Sequence, residues 1–124
     1  MSKVVYTKNA PEAIGPYSQA IVTSNLVFTS GQIPIDPSCG QIVATDIQAQ
    51  TEQACKNVGE VLKAAGTSFD KVVKTVCFLH NISDFAQFNE VYAKYFVSKP
   101  ARSCVAVKDL PKGALVEIEA IAEI

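Results

Sequence analysis

The chain has no tryptophan, one methionine and one histidine among its 124 residues. A lone histidine, His80, cannot supply the paired imidazoles of most zinc or iron centres. It also leaves no histidine–acid pair in view to activate Ser18 or Ser30 as a hydrolase nucleophile. The four cysteines, Cys39, Cys55, Cys77 and Cys104, form no C-x-x-C pair, so no metal and no cofactor is expected. Gly15 and Gly31 are isolated, which removes the glycine-rich phosphate cradle. No run of roughly eighteen apolar residues exists, and no membrane partner is expected. The opening Met1-Ser2-Lys3-Val4-Val5-Tyr6 lacks the apolar stretch of a secretory leader and the arginine-rich pattern of a mitochondrial one. Scattered thiols and no leader together predict a reduced protein of the cytoplasm. The formal net charge is −1, and no lysine or arginine run marks a nucleic-acid face.

What the chain does have is apolar material: 48% of residues, against 19% charged. That suffices for a core in one domain spanning residues 1–124. Residues 3–6 read as a short strand, and Pro11, Gly15 and Pro16 punctuate a loop after it. Residues 18–23 and 26–30 are β-rich runs flanking Ser24-Asn25, the pattern of a tight hairpin. Residues 36–40 form a surface turn. Residues 46–65 predict a helix with an apolar stripe through Ile47, Ala54, Cys55, Val58, Val61 and Leu62, closed by Gly66. Gly59 inside that helix implies close packing.

Residues 72–79 predict a strand apolar on both faces. Ser83 is positioned to cap a second helix that buries Phe85, Phe88, Tyr92, Tyr95 and Phe96. Two further strands, about 101–107 and 115–124, flank a turn at Leu110-Pro111-Lys112-Gly113. The order describes two helices against one sheet, an α+β or α/β sandwich. Two helices cover only one sheet face, so the second apolar face of strand 72–79 calls for cover by other copies of the chain.

The chemistry concentrates in the last two strands. Arg102 carries a planar, permanently charged fork that matches a carboxylate, and a strand holds it better than a loop would. Taken alone it is more often a surface arginine lying over apolar neighbours. Cys104 shares its face two residues on, and alone reads as a small buried hydrophobe. Glu117, Glu119 and Glu123 alternate with Ile118, Ala120 and Ala122. A solvated acidic side accounts well for Glu117 and Glu123, and less well for Glu119 if subunits close over the sheet. His80, at a strand end, receives no role.

Five segments occur together in order: Gly15-Pro16-Tyr17-Ser18-Gln19-Ala20, Ser30-Gly31-Gln32-Ile33-Pro34, Phe88-Asn89 with Tyr92, Pro100-Ala101-Arg102-Ser103-Cys104-Val105, and Ile118-Glu119-Ala120-Ile121-Ala122. In combination they resemble the RidA/YjgF/YER057c family of reactive enamine/imine deaminases, over essentially the whole chain. The resemblance implies a chorismate-mutase-like α+β two-layer sandwich, one mixed β-sheet with two helices on one face, assembling as a homotrimer with active sites at the subunit interfaces. It implies that Arg102 grips a substrate carboxylate, that Glu119 positions or activates water, and that Cys104 helps place that water without acting as a nucleophile. Tyr17, Ser30, Gly31 and Asn89 stand at substrate-lining positions. Lys99 departs from the pattern, because relatives often carry an aromatic residue before the proline.

The implied reaction converts 2-aminoacrylate or 2-aminocrotonate, through their 2-imino tautomers, to 2-oxo acids and ammonia, with a small imino or keto acid as partner. Two rival readings stand beside it. One is a non-catalytic regulatory module binding small carboxylates or keto acids. The other, ranked last on the charge balance, is a ribonuclease or translation inhibitor.

Overall fold

The computed structural model describes residues 2–124. In chain order the elements are β1 (Ser2–Val5), β2 (Ala20–Thr23), β3 (Leu26–Thr29), β4 (Ile35–Asp36), β5 (Gln41–Ile42), α1 (Ile47–Ala64), β6 (Val72–Leu79), α2 (Phe85–Tyr95), β7 (Ala101–Ala106) and β8 (Val116–Glu123). Six strands form a sheet in the order β1-β2-β3-β8-β6-β7. Every pairing in it is antiparallel except β6–β7, which α2 connects in parallel. The sheet is therefore mixed and the fold α+β, with both helices on one face. Strands β4 and β5 pair as a separate small ribbon around the turn at residues 36–40.

Local chemistry explains the element ends. The Asp46 carboxylate accepts the Ala49 N–H at 2.8 Å, which caps α1. At the other end Gly66 takes φ +88°. There Thr67 N–H donates to Leu62 C=O and Gly66 N–H to Lys63 C=O, the two bonds of a Schellman closure. Ser24, at φ 51°, turns the β2–β3 hairpin where expected. Gly59 packs closely, since a Cβ there would lie 2.8 Å from the Phe69 ring.

Two expectations for the second helix are corrected. Ser83 does not cap it; it lies in a 3₁₀ turn, Ile82–Asp84, that runs straight into α2. The Phe85 N–H bonds back to Ile82 C=O, so the turn's own backbone takes up a donor that a side-chain cap would have served. Phe85 is not buried either, at 38% exposed, and leans over the edge strand instead.

The core lies between the helices and the sheet. Leu62, Val58, Val61, Phe88, Leu79, Val27, Val116 and Ile118 are fully buried there. Across the sheet's other face Ile21, Phe28, Ile121 and Lys74 run in register over four strands. Phe28 and Val105 on that face stay 41% and 46% exposed, as the strand patterning required of a face that no helix covers. No helix among the described residues is long and apolar enough to cross a membrane.

Candidate active site

Register in the sheet fixes which side chains can meet. Arg102 pairs with Thr75 and Cys104 with Cys77, both buried under the helices, so Arg102 and Cys104 point to the helix side. There α2 receives the arginine. Its Nη1 donates to Asn89 Oδ1 at 2.8 Å. Its Cζ lies 4.8 Å from the centre of the Tyr92 ring, 5.4 Å from Phe85 and 5.9 Å from Phe88. The cation thus rests on π faces and a neutral amide, and no carboxylate among the described residues neutralises it. A cavity of about 660 Å³ opens beside it, lined by Asn89, Tyr92, Phe96, Lys99, Pro100 and Arg102. Lys99, the departure noted in the sequence, forms part of this wall at φ 51°.

Cys104 is partly buried and packs against the core. Burial pushes its thiol above the ordinary range, with the Arg102 charge opposing. A neutral thiol is a poor nucleophile.

A second cavity, about 400 Å³, lies elsewhere and is lined by Tyr17, Ser30, Gly31, Gln32, Ile33 and Glu117 among others. Gln32 exchanges two backbone hydrogen bonds with Ile118, at 2.8 and 3.1 Å. That bridge lays Gly31 directly against Glu117. A Cβ on Gly31 would stand 2.0 Å from Glu117 Oε2, so glycine is what lets the carboxylate sit there. The Ser30 hydroxyl donates to Ser18 C=O at 2.6 Å and so anchors the Tyr17–Ser18 segment beside the cavity. Buried Gln19 holds the loop before it, bonding Thr7 N–H and C=O and Pro11 C=O. Tyr17 itself is 51% exposed at the cavity wall.

Glu117 was expected to be a solvated residue, and the structure corrects this. Half-buried, it is pushed above the ordinary carboxylate range by desolvation first and by the Glu119 charge second. Glu119 lies two residues along the same face, opposite Val76, and does not line the cavity. The signal that could have found Glu117 is Gly31 itself. Its φ is not positive, so no turn demands a glycine there, and the missing side chain marks a close approach.

One subunit does not bring these groups together. Glu117 and Glu119 alternate with the buried Ile118 and Ala120, which places them on the open face of the sheet. Arg102, Cys104 and Asn89 sit on the helix side. The described residues therefore hold two separate candidate groups, one cationic and one acidic.

Comparison with known proteins identifies the family of this chain. The profile of the family described as Endoribonuclease L-PSP matches residues 7–124. A RutC family protein of Pyrococcus horikoshii is 54% identical over 98% of each chain. A human protein named 2-iminobutanoate/2-iminopropanoate deaminase is 50% identical over 97% of this chain and 88% of its own length. The crystal structure of the Rid-family protein YyfA of Yersinia pestis superposes with a TM-score of 0.96 at 54% identity, covering all of both chains. Sequence, motifs and fold agree over the full length, and the chain belongs to the Endoribonuclease L-PSP family, the RidA/YjgF family.

Proposed function

We propose that the protein hydrolyses reactive 2-imino acids, the tautomers of 2-aminoacrylate and 2-aminocrotonate, to 2-oxo acids and ammonia. In this reading the sites are completed between copies of the chain in a homotrimer. The observation that carries it is Arg102, a cation held by Asn89 and aromatic faces with no acidic partner among the described residues. Such a fork is satisfied by a substrate carboxylate in two parallel hydrogen bonds. The half-exposed open sheet face supplies the surface over which copies would associate and bring the acidic half-site to the cationic one.

The chemistry needs orientation and one mobile proton. With the carboxylate fixed by Arg102, the C2 carbon of the imine faces a water held by Glu117. As the water oxygen bonds to C2, the π pair of C=N moves to nitrogen and Glu117 takes the water's proton. Passing that proton to nitrogen gives the neutral carbinolamine. Glu117 then carries the carbinolamine hydroxyl proton to nitrogen, so that C=O forms as the C–N bond breaks and ammonia leaves the 2-oxo acid. A carboxyl whose pKa is raised above the ordinary range is better suited to returning the proton it takes. Glu119, the residue expected in that role, is here its charged neighbour, and Cys104 borders the arginine as a neutral thiol.

This gives a signed pH dependence. Glu117 must be ionised to take a proton, and its pKa lies above the ordinary 4.5, so activity falls on the acid side at a higher pH than a free carboxyl would dictate. Replacing Glu119 with glutamine removes the like charge and moves the acid limb of kcat/KM to lower pH. An unmoved limb, or a shift to higher pH, contradicts the assignment.

The activity itself is tested by generating 2-aminoacrylate in place with a pyridoxal-phosphate serine lyase and following its absorbance. The protein is expected to hasten the decay. If it binds 2-oxobutanoate yet leaves the decay unchanged, the deaminase reading falls and the small-carboxylate regulatory module replaces it.

A further inference from the structure

The hydroxyls of Tyr92 and Thr75 lie 2.7 Å apart in the interior, under the arginine. Thr75 is 0% exposed and Tyr92 8%, so neither hydroxyl turns to solvent. Phenylalanine and valine would fill the same space without burying two polar groups, so packing alone does not call for this pair. The topology suggests another reason. Thr75 is the direct register partner of Arg102 across β6 and β7. Its hydroxyl holds Tyr92, and the Tyr92 ring carries the guanidinium at 4.8 Å, nearer than either other ring. The three residues close a loop: strand neighbour, buried tether, aromatic platform.

We infer that Tyr92, tethered by Thr75, is a positioning residue that sets the plane of the Arg102 guanidinium and so the orientation in which a carboxylate is gripped. This rests on Arg102 being the carboxylate anchor, as proposed above.

The other contacts fit a fixed platform. Tyr92 stacks on Phe96 with centroids 4.4 Å apart and planes at 18°, and meets Phe88 at 5.4 Å. Packed against two rings and bonded at its tip, the ring is held at several points. Burial pushes the Tyr92 phenol up to about 12, so it stays a neutral hydrogen-bonding group at any physiological pH. Cys77 Sγ extends the chain by donating to Thr75 Oγ1 at 3.9 Å. With Cζ 4.8 Å over the ring centre and Nη1 held by Asn89, the guanidinium is located at two points before any ligand arrives. Preorganisation of this kind lowers the ordering cost of binding.

The test compares Tyr92→Phe, which keeps the ring and cuts the tether, with Thr75→Val and Thr75→Ser. The probe is 2-oxobutanoate, titrated onto each folded protein. Tyr92→Phe and Thr75→Val are expected to weaken binding about fivefold, the usual worth of one hydrogen bond, with kcat changed less than about twofold. Thr75→Ser is expected to restore wild-type affinity. In an Arg102→Lys background, where no planar fork remains to be oriented, Tyr92→Phe is expected to cost nothing further. An equal loss in that background, or an unchanged Kd for Tyr92→Phe, overturns the inference.

The ¹⁵N resonance of the Arg102 Nε–H in ligand-free protein gives a second readout. The tether predicts a ring-shifted signal in wild type that broadens or moves in Tyr92→Phe. If wild type neither binds 2-oxobutanoate nor hastens imine decay, the deaminase reading fails while this resonance still decides the tether. An identical resonance in both proteins removes it.

Discussion

Arg102→Ala is expected to lower kcat/KM for 2-aminoacrylate by about 10²–10³-fold, corresponding to roughly 3–4 kcal/mol of lost transition-state stabilisation. The size follows from what the residue does. Two charge-assisted hydrogen bonds to a carboxylate disappear together, and with them the orientation that presents C2 to water. The fold is expected to survive, because Arg102 stands on the edge strand β7 and serves no ion pair among the described residues. Arg102→Lys keeps the charge and loses the fork, so it falls between wild type and alanine. Steady-state kinetics with a circular-dichroism melt separates the two effects. A folded Arg102→Ala protein with full activity contradicts the role.

Gly31→Ala is the second large effect, and it comes from adding one methyl group. The new Cβ would lie 2.0 Å from Glu117 Oε2 and 2.8 Å from its Cδ. Gly31 cannot easily retreat, because the next residue is pinned to Ile118 by two backbone hydrogen bonds. The carboxylate therefore moves, and a displaced general base costs most of its catalytic contribution, about 10²-fold in kcat. KM is expected to change little, since Arg102 is untouched. Glu117→Gln should cost a similar amount, and combining it with Gly31→Ala should add almost nothing, because both remove the same group. Additive losses, or an unaffected kcat in Gly31→Ala, would show that Glu117 is not the group displaced.

The legibility of this protein in its sequence divides along a physical line. Local signals were readable. Gly66 closes α1 as capping chemistry requires, Ser24-Asn25 turns the hairpin, and Gly59 marks close packing against Phe69. Arg102 and Asn89 were both singled out, and the structure joins them in one hydrogen bond. What depends on register between distant strands was not readable. Period-two alternation puts Glu117 and Glu119 on one face with equal claim. Only the bridge between Gln32 and Ile118, some 86 residues apart by 118 minus 32, decides that Glu117 is the one beside Gly31. The order β8-β6-β7 was equally hidden, and it sends Arg102 and the glutamates to opposite faces. Ser83 failed as a cap for a simpler reason, because a 3₁₀ turn supplied by the backbone took its place.

The central claim is that two half-sites on different copies of the chain make one active site, and subunit complementation tests it directly. Arg102→Ala and Glu117→Ala, each inactive alone, are unfolded together in equal amounts and refolded as mixed oligomers. At a shared interface, an intact arginine from one copy meets an intact glutamate from the next in about one quarter of random pairings. The account predicts recovery of about one quarter of wild-type deaminase activity, with neither variant recovering when refolded alone. A mixture that stays as inactive as its parents would contradict it.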